Sequence, residues 1–173
     1  VYGLAARADN DEAVAKIYVA KGRPSGHPLI LHISDMSELN RYAINIPREA
    51  LTLAQQCWPG PLTLLLNKSA EVSHLVTGGR DTVAIRVPAN DCALSIIDRC
   101  GHAVAAPSAN VFGHVSPSTA QHVYDDLGDR VDLIVDDGNC SIGVESTIID
   151  FTASHPQLLR PGGFPVEDIE SII

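Results

Sequence analysis

Two cationic side chains and a histidine lie close together near residue 30 of the chain. Lys21-Gly22-Arg23-Pro24 is a turn punctuated by glycine and proline, and it leads into an apolar run that ends on His32-Ile33. The 173 residues carry a formal net charge of -9, so this cationic turn is a local feature rather than part of a basic surface. The pattern predicts a site for a small anionic ligand beside an imidazole.

Four cations share one type of position, at the end of a predicted strand or in the adjoining turn. They are Lys21, Arg23, Arg86 and Arg160. Arginine suits phosphate and carboxylate because its planar fork donates two parallel hydrogen bonds. The alternative for any one of them is a solvated charge or a surface ion pair. Ligands of open α/β sheets bind at such strand ends, so the group of four favours a binding site.

Short polar side chains follow in the second half of the chain. Ser108 and Asn110 lie in the turn Ala106-Pro107-Ser108-Ala109-Asn110, where they either contact a ligand or satisfy their own backbone. Ser116 precedes Pro117 and is predicted to cap a helix that begins with this proline. Because a helix N-terminus also attracts anions, capping and ligand binding are compatible at Ser116.

The chain lacks the sequence motifs of several common catalytic, metal-binding and nucleotide-binding sites. Ser108 or Ser146 with His32 would supply a hydrolase pair, but neither serine lies in a G-x-S-x-G elbow. His27 and His32 are five residues apart, on opposite faces of a strand, and make a poor metal pair. The four cysteines form no C-x-x-C pair, which argues against a zinc knuckle. The chain has neither a Walker A motif nor G-x-G-x-x-G, so a nucleotide would bind without these phosphate loops.

Composition predicts one globular domain over residues 1–173, because 45% of the residues are hydrophobic and 19% are charged. The acidic net charge argues against non-specific polyanion binding as the main role, although it leaves room for one basic groove. No apolar run approaches the roughly 18 residues of a membrane span. Widely spaced cysteines are typical of free thiols in a reducing compartment, so we expect a cytoplasmic protein without a membrane partner.

Strands and helices interleave along the chain, which predicts an α/β fold with a mixed or largely parallel sheet. Strands are predicted at residues 28–33, 62–66, 82–87, 103–106, 131–135, 146–150 and 157–159. Helices are predicted at residues 11–20, 37–43, 47–57 with Pro47 at its first position, 91–99, behind Ser116-Pro117, and 165–173. Residues 72–80 are polar and rich in glycine, and are predicted to form a loop.

Eight ordered motifs resemble those of the YrdC-like threonylcarbamoyl-adenylate synthases over nearly the whole chain. They are Tyr2-Gly3-Leu4, Lys21-Gly22-Arg23-Pro24, Pro28-Leu29-Ile30-Leu31-His32-Ile33, Trp58-Pro59-Gly60-Pro61-Leu62-Thr63, Ala84-Ile85-Arg86-Val87-Pro88, Ala106-Pro107-Ser108-Ala109-Asn110, Gly143-Val144-Glu145-Ser146-Thr147-Ile148 and Leu159-Arg160-Pro161-Gly162. The resemblance implies a YrdC/RibB-like twisted mixed sheet with flanking helices and a concave, positively charged cavity.

The resemblance also implies a nucleotidyltransferase that forms L-threonylcarbamoyladenylate and pyrophosphate from L-threonine, bicarbonate and ATP. ATP is then a substrate, Mg2+ accompanies the triphosphate, and no protein-held metal is expected. The product would supply a tRNA threonylcarbamoyl-transfer complex that modifies adenosine next to the anticodon. Binding of RNA, including double-stranded RNA, on the concave face is a further expectation of the family.

Roles follow from the resemblance for twelve positions of this sequence. Lys21 and Arg23 would be catalytic. The expected contacts to ATP are Arg23, His27, Thr82, Ser108, Asn110, Ser116 and Arg160. The expected contacts to threonine are His32, Arg86, the backbone of Ala106, and Ser146.

The chain departs from the family pattern at its start. A helix and a strand of the family, with a threonine that helps bind substrate, would precede Val1, so we expect an N-terminally truncated chain with impaired turnover. A C-terminal domain of longer relatives would also be absent. Tyr2-Gly3-Leu4 is followed by Ala5 where the family has glycine, and His27 stands where many relatives have asparagine.

Two other functions stay open on the sequence. One is an RNA-binding or ribosome-maturation module, which the acidic charge and the lack of an aromatic stacking motif disfavour as a sole function. The other is a carbamoyl-adenylate transferase domain, as in hydrogenase-maturation proteins. Dependence of ATP chemistry on threonine would separate the two enzymes.

Overall fold

The computed structural model describes residues 1–173 and contains one eight-stranded sheet with flanking helices. The strands are β1 (Ala6–Arg7), β2 (Ile30–His32), β3 (Ala43–Ile44), β4 (Leu62–Lys68), β5 (Thr82–Arg86), β6 (Val104–Ala105), β7 (Thr147–Asp150) and β8 (Gln157–Arg160). The helices are α1 (Asp11–Lys21), α2 (Leu39–Tyr42), α3 (Arg48–Cys57), α4 (His74–Thr77), α5 (Asp91–Cys100), α6 (Ala120–Leu127) and α7 (Val166–Glu170).

The sheet is mixed, as predicted. Its order is β1-β6-β2-β5-β4-β7-β8, with β3 also paired to β4. Two pairs are parallel, β2 with β5 and β4 with β7, and the remaining pairs are antiparallel. The two parallel pairs need long crossover connections, which the intervening helices supply. The predicted α/β class with flanking helices is confirmed.

The central strands divide their side chains between a core and an open cleft. On β2 and β5, Leu31 and Ile85 are fully buried, whereas their neighbours His32 and Arg86 line the cleft. This alternation follows from the two-residue period of a strand. The buried side packs with α1 and α3 into the main hydrophobic core, so the face with the polar side chains is left for a ligand.

Helix ends follow local capping chemistry. Asn10 caps α1 by accepting from the amide of Ala13 at 3.0 Å, and Gly22 ends the helix in the left-handed region at φ 61°. Glycine adopts this conformation without steric cost, so the chain can turn directly behind Lys21. The predicted helix over residues 11–20 is therefore present.

Three local predictions were wrong. Residues 131–135 form no strand, because Val131 and Ile134 instead pack against a small second core beside α6. Ser116 does not cap α6, which begins after Thr119, whose hydroxyl accepts from the amide of His122 at 3.1 Å. Residues 72–80 are not all loop, because the Ser73 hydroxyl caps the short helix α4.

Smaller differences concern short elements. The two-residue strands β1 and β3 were not predicted. Pro47 lies at the cap position of α3 rather than at its first helical residue. Residues 37–43 contain a 3-10 turn, Met36–Glu38, followed by the single-turn helix α2. None of the helices combines the length and the apolar character needed to cross a membrane.

Candidate functional site

A large cleft of about 1610 Å³ opens on the polar face of the central strands. Its wall contains six of the twelve basic side chains of the protein and four of the twenty-one acidic ones. The basic residues are Lys16, Arg23, Arg80, Arg86, Arg130 and Arg160. The cleft therefore concentrates positive charge in an acidic chain, which favours an anionic ligand.

Eight of the twelve predicted site residues line this cleft. They are Arg23, His32, Thr82, Arg86, Ala106, Ser108, Ser146 and Arg160. The other four, Lys21, His27, Asn110 and Ser116, are not part of its lining. A small cavity of about 20 Å³ elsewhere, beside Asp9 and His102, contains none of the predicted residues.

His32 and Arg86 lie side by side because they are register partners in the parallel pair of β2 and β5. His32 Nδ1 lies 3.2 Å from the carbonyl oxygen of Ile30, which can only accept, so Nδ1 carries the proton and Nε2 is free to accept. Burial and the neighbouring guanidinium of Arg86 lower the pKa of His32 to about 3. The imidazole is therefore neutral at neutral pH.

The guanidinium of Arg86 is fixed by the corner that precedes β4. Its Nε donates to the carbonyl oxygen of Gly60 at 2.8 Å, and the amide of Gly60 donates to Val87 at 2.9 Å. A Cβ at residue 60 would clash with the carbonyl oxygen of Cys57, so only glycine fits there. Burial, with a contribution from Arg160, lowers the pKa of Arg86 to about 10, which leaves it charged at neutral pH.

Lys21 is buried and is not part of the cleft lining. Its side chain is 1% exposed, and Nζ donates to the carbonyl oxygens of Ser108 and Asn110, each at 2.5 Å. Asn110 Oδ1 lies 3.4 Å from the same nitrogen. Burial and then the charge of Arg23 lower the pKa of Lys21 to about 8. The three protons of the ammonium thus hold the turn over residues 108–110.

Asn110 is part of the same internal arrangement. Its side chain is 5% exposed, and its Nδ2 donates to the carbonyl oxygens of Val111 and His114, each at 2.8 Å. Neither Lys21 nor Asn110 has a free donor directed at the cleft. Both determine the backbone path on either side of Ser108.

Arg23 lines the cleft, and the exposed His27 lies next to it outside the lining. Arg23 Nη2 donates to the carbonyl oxygen of Pro28 at 2.9 Å, and the guanidinium lies 5.6 Å from the centre of the Phe112 ring. His27 is exposed and packs edge-on against the same ring at 5.2 Å. The Phe112 ring therefore orders both side chains, and Arg23 alone reaches the cleft wall.

Hydroxyl groups supply neutral polar contacts in the cleft. The side chains of Thr82 and Ser108 are partly exposed there, and neither hydroxyl is bonded within the protein. The amide of Ala106 is already used, because it donates to the carbonyl oxygen of Ile30 at 2.9 Å. Thr82 and Ser108 are thus available to a ligand, whereas the Ala106 amide is not.

Arg160, the last residue of β8, also lines the cleft. Its Nε and Nη2 donate to the carbonyl oxygen of Ser146 at 3.0 and 2.8 Å, and Nη2 lies 3.1 Å from the Ser146 hydroxyl. Nη1 pairs with the carboxylate of Glu145, which also accepts from the hydroxyl of Ser116 at 3.0 Å. Ser116 is therefore connected to Arg160 through Glu145.

Two residues of this region were missed as site residues by sequence reasoning. One is Glu145, and the other is Thr63, a fully buried residue whose Oγ1 lies 2.7 Å from the hydroxyl of Ser146. Thr63 is the only hydroxyl residue in the apolar run Leu62-Thr63-Leu64-Leu65-Leu66, and that isolation was a usable signal. The contacts of Glu145 join distant segments and left no comparable local signal.

No group of three or more His, Cys, Asp or Glu side chains is placed to hold a metal ion. The arrangement offers fixed cations, a neutral imidazole and free hydroxyls. Such a set can bind an anionic substrate and stabilise charge that develops on it.

Comparisons with known proteins give consistent matches. The family model Sua5_yciO_yrdC, described as telomere recombination, matches residues 1–162. Proteins named threonylcarbamoyl-AMP synthase from Pyrococcus abyssi and Bacillus subtilis are each 51% identical to this chain over its full length. The chain covers 51% and 50% of these proteins, so it spans about half the length of the curated relatives it matches.

A solved structure gives the same result for the fold. The crystal structure of P. abyssi Sua5 complexed with L-threonine matches with a TM-score of 0.98 at 51% identity. The match covers 100% of this chain and 51% of that chain.

The buried ammonium of Lys21 gives a prediction for stability. We expect Lys21→Met to lower the free energy of unfolding by about 2–4 kcal/mol, because it leaves buried carbonyl oxygens without donors. Urea unfolding would measure the change. The matched control is Lys16→Met on the same helix, whose exposed side chain makes no hydrogen bond. Equal stability of the two variants would contradict the assignment.

Proposed function

Because this chain belongs to the Sua5, YciO and YrdC family, we propose that it is a threonylcarbamoyl-AMP synthase. It would form L-threonylcarbamoyl-AMP and pyrophosphate from L-threonine, bicarbonate and ATP. The observation that carries the proposal is that the whole of this chain matches about half of a protein solved with L-threonine bound. The pairing of His32 with Arg86 in a cationic cleft supports it independently.

Threonine would bind beside β2 and β5. The guanidinium of Arg86 suits the threonine carboxylate, since it is held rigidly by Gly60 and is charged at neutral pH. The free Nε2 of neutral His32 can accept a hydrogen bond from an N–H or O–H of the substrate. The Ser146 hydroxyl also lines the cleft, where Thr63 and Arg160 fix its orientation.

ATP would bind between Arg23 and Arg160. Two fixed arginines suit the phosphate chain, and the free hydroxyls of Thr82 and Ser108 add neutral donors. Lys21 and Asn110 would act by positioning the turn that presents Ser108. Mg2+ would arrive with the triphosphate and be held mainly by phosphate oxygens, since this chain offers no cluster of ligands for it.

The reaction requires that the threonine N-carboxylate and the α-phosphorus of ATP are held together and that the negative charge of the phosphates is stabilised. Threonine and bicarbonate form an N-carboxylate with loss of water, and one of its oxygens attacks the α-phosphorus. A new P–O bond forms while the bond to the β-phosphate breaks, and pyrophosphate leaves with its electron pair. The nucleophile is already an anion, so no general base is needed at that step. Fixed cations around the phosphorus lower the barrier.

The product would pass to the tRNA threonylcarbamoyl-transfer machinery, which places the reaction in the cytoplasm. Direct RNA binding on the concave face is a separate possibility in the family, and no observation on this chain favours it as the main function. The same holds for a carbamoyl-adenylate transferase, which would not require threonine.

The proposal is tested by pyrophosphate release from the purified chain. We expect release when ATP, bicarbonate and L-threonine are all present, and loss of release when any one is omitted, because the N-carboxylate of threonine is the attacking group. Release that persists without threonine would contradict the proposal and favour carbamoyl-adenylate chemistry. Retention of RNA in excess ATP, without release of pyrophosphate, would favour the RNA-binding module.

Arg86 gives a second prediction. Arg86→Ala should weaken threonine binding roughly 10- to 100-fold, because a charge-assisted pair with the carboxylate is lost. ATP affinity should change little. Calorimetric titration with each ligand measures the two affinities, and the control Arg99→Ala removes the same charge at an exposed residue that is not part of the cleft lining. Equal losses for threonine and ATP would count against this role for Arg86.

A further inference from the structure

We propose that Glu145 is a positioning residue for the nucleotide, because its carboxylate ties the Ser116 hydroxyl to the guanidinium of Arg160 at the edge of the cleft. This inference rests on the proposed function, in which both Ser116 and Arg160 contact ATP. Neither the family resemblance nor the comparisons assign a role to Glu145.

The carboxylate of Glu145 uses its two oxygens for two different partners. Oε1 accepts from the Ser116 hydroxyl at 3.0 Å, and Oε2 pairs with Arg160 Nη1 at 2.5 Å. The side chains of Glu145 and Arg160 are 37% and 33% exposed, so the pair lies at the cleft surface rather than in the core. A ligand in the cleft can therefore reach the guanidinium of Arg160, which lines the cleft.

Ser116 and Arg160 come from separate parts of the chain. Ser116 lies in the segment before α6, and Arg160 is the last residue of β8. The bond to Glu145 is the only side-chain hydrogen bond of Ser116. Without Glu145, its hydroxyl would have no partner within the protein and no fixed distance to the arginine.

Arg160 has few donors left for a ligand. A guanidinium has five N–H groups, and those of Nε and Nη2 are directed at Ser146. One of the two N–H groups on Nη1 is taken by Glu145, which leaves the other to point at a ligand. The guanidinium is planar, so its contacts with Ser146 and Glu145 together fix the direction of the remaining donor.

The backbone of Glu145 is itself closely held. Its carbonyl oxygen accepts from the amide of Gly163 at 2.8 Å. A Cβ at Gly162 would clash with that oxygen and with the backbone of Ser146, so glycine is needed for this close approach. The carboxylate therefore extends from a rigid base, as a positioning group must.

The negative charge of Glu145 also has an unfavourable effect on ATP binding. A carboxylate near the phosphate chain repels it, so removal of Glu145 would also remove a repulsion. At an exposed surface this repulsion is weakened by water and salt. We expect the loss of preorganised donors to outweigh the loss of this repulsion. Ser116 would lose its only side-chain hydrogen bond, and Arg160 would lose the partner of Nη1.

The test is calorimetric titration of the parent chain and its variants with ATP and, separately, with L-threonine. For Glu145→Ala we expect ATP affinity to fall roughly 10-fold, the loss of about one charge-assisted bond. Threonine affinity should stay within about 2-fold, and the melting temperature within about 2 °C, because exposed ion pairs add little stability. Glu145→Gln should lose less, since its amide oxygen can still accept from Ser116.

The matched control is Glu12→Gln, which removes the same charge from the same cleft at a residue that makes no side-chain hydrogen bond. It should change neither affinity. Glu145→Ala combined with Ser116→Ala should lose less than the product of the two single effects, because one acts through the other.

Unchanged or tighter ATP binding by Glu145→Ala would overturn the inference. Equal losses of affinity for ATP and threonine would do the same. So would a double variant with Ser116→Ala whose loss of ATP affinity equals the product of the two single losses. These outcomes leave the proposed function standing. Failure of the parent chain to bind ATP at all would instead overturn the proposed function and this inference with it.

Discussion

The register between β2 and β5 is the constraint on which the cleft depends. It pairs His32 with Arg86 on one face and Leu31 with Ile85 on the other. A shift of one residue in either strand would exchange these faces, burying a charge and exposing core side chains. The packing of Leu31 and Ile85 in the hydrophobic core therefore also fixes the placement of the polar pair. Stability and site geometry follow from the same alternation.

Charged groups around this pair act in two different ways. Arg23, Arg86 and Arg160 present cations to the cleft, whereas Lys21 uses its ammonium to hold a turn. The difference follows from burial, because a fully buried ammonium needs acceptors on all of its protons. A cation in a sequence motif is thus either a ligand contact or a support, and only its surroundings decide which.

The sequence was sufficient for the parts governed by local chemistry. The turn of α1 at Gly22, the polar ends of β2 and β5, and the family resemblance were all predicted, and the structure and comparisons confirm them. Long-range contacts were beyond such reasoning. Lys21 bonds to residues almost ninety positions away, and Ser116 binds Glu145 instead of capping a helix. Residues 131–135 have the apolar pattern of a strand, but they pair with no other strand. The side chains of Val131 and Ile134 instead pack against the small core beside α6.

We propose that the cleft joins ATP, L-threonine and bicarbonate into one adenylate. The most direct test is mass spectrometry of the products formed from ATP, L-threonine and carbon-13-labelled bicarbonate. We predict an adenylate that contains AMP, threonine and one labelled carbon, together with an equal amount of pyrophosphate. A threonine adenylate without the label, or a labelled adenylate without threonine, would contradict the account.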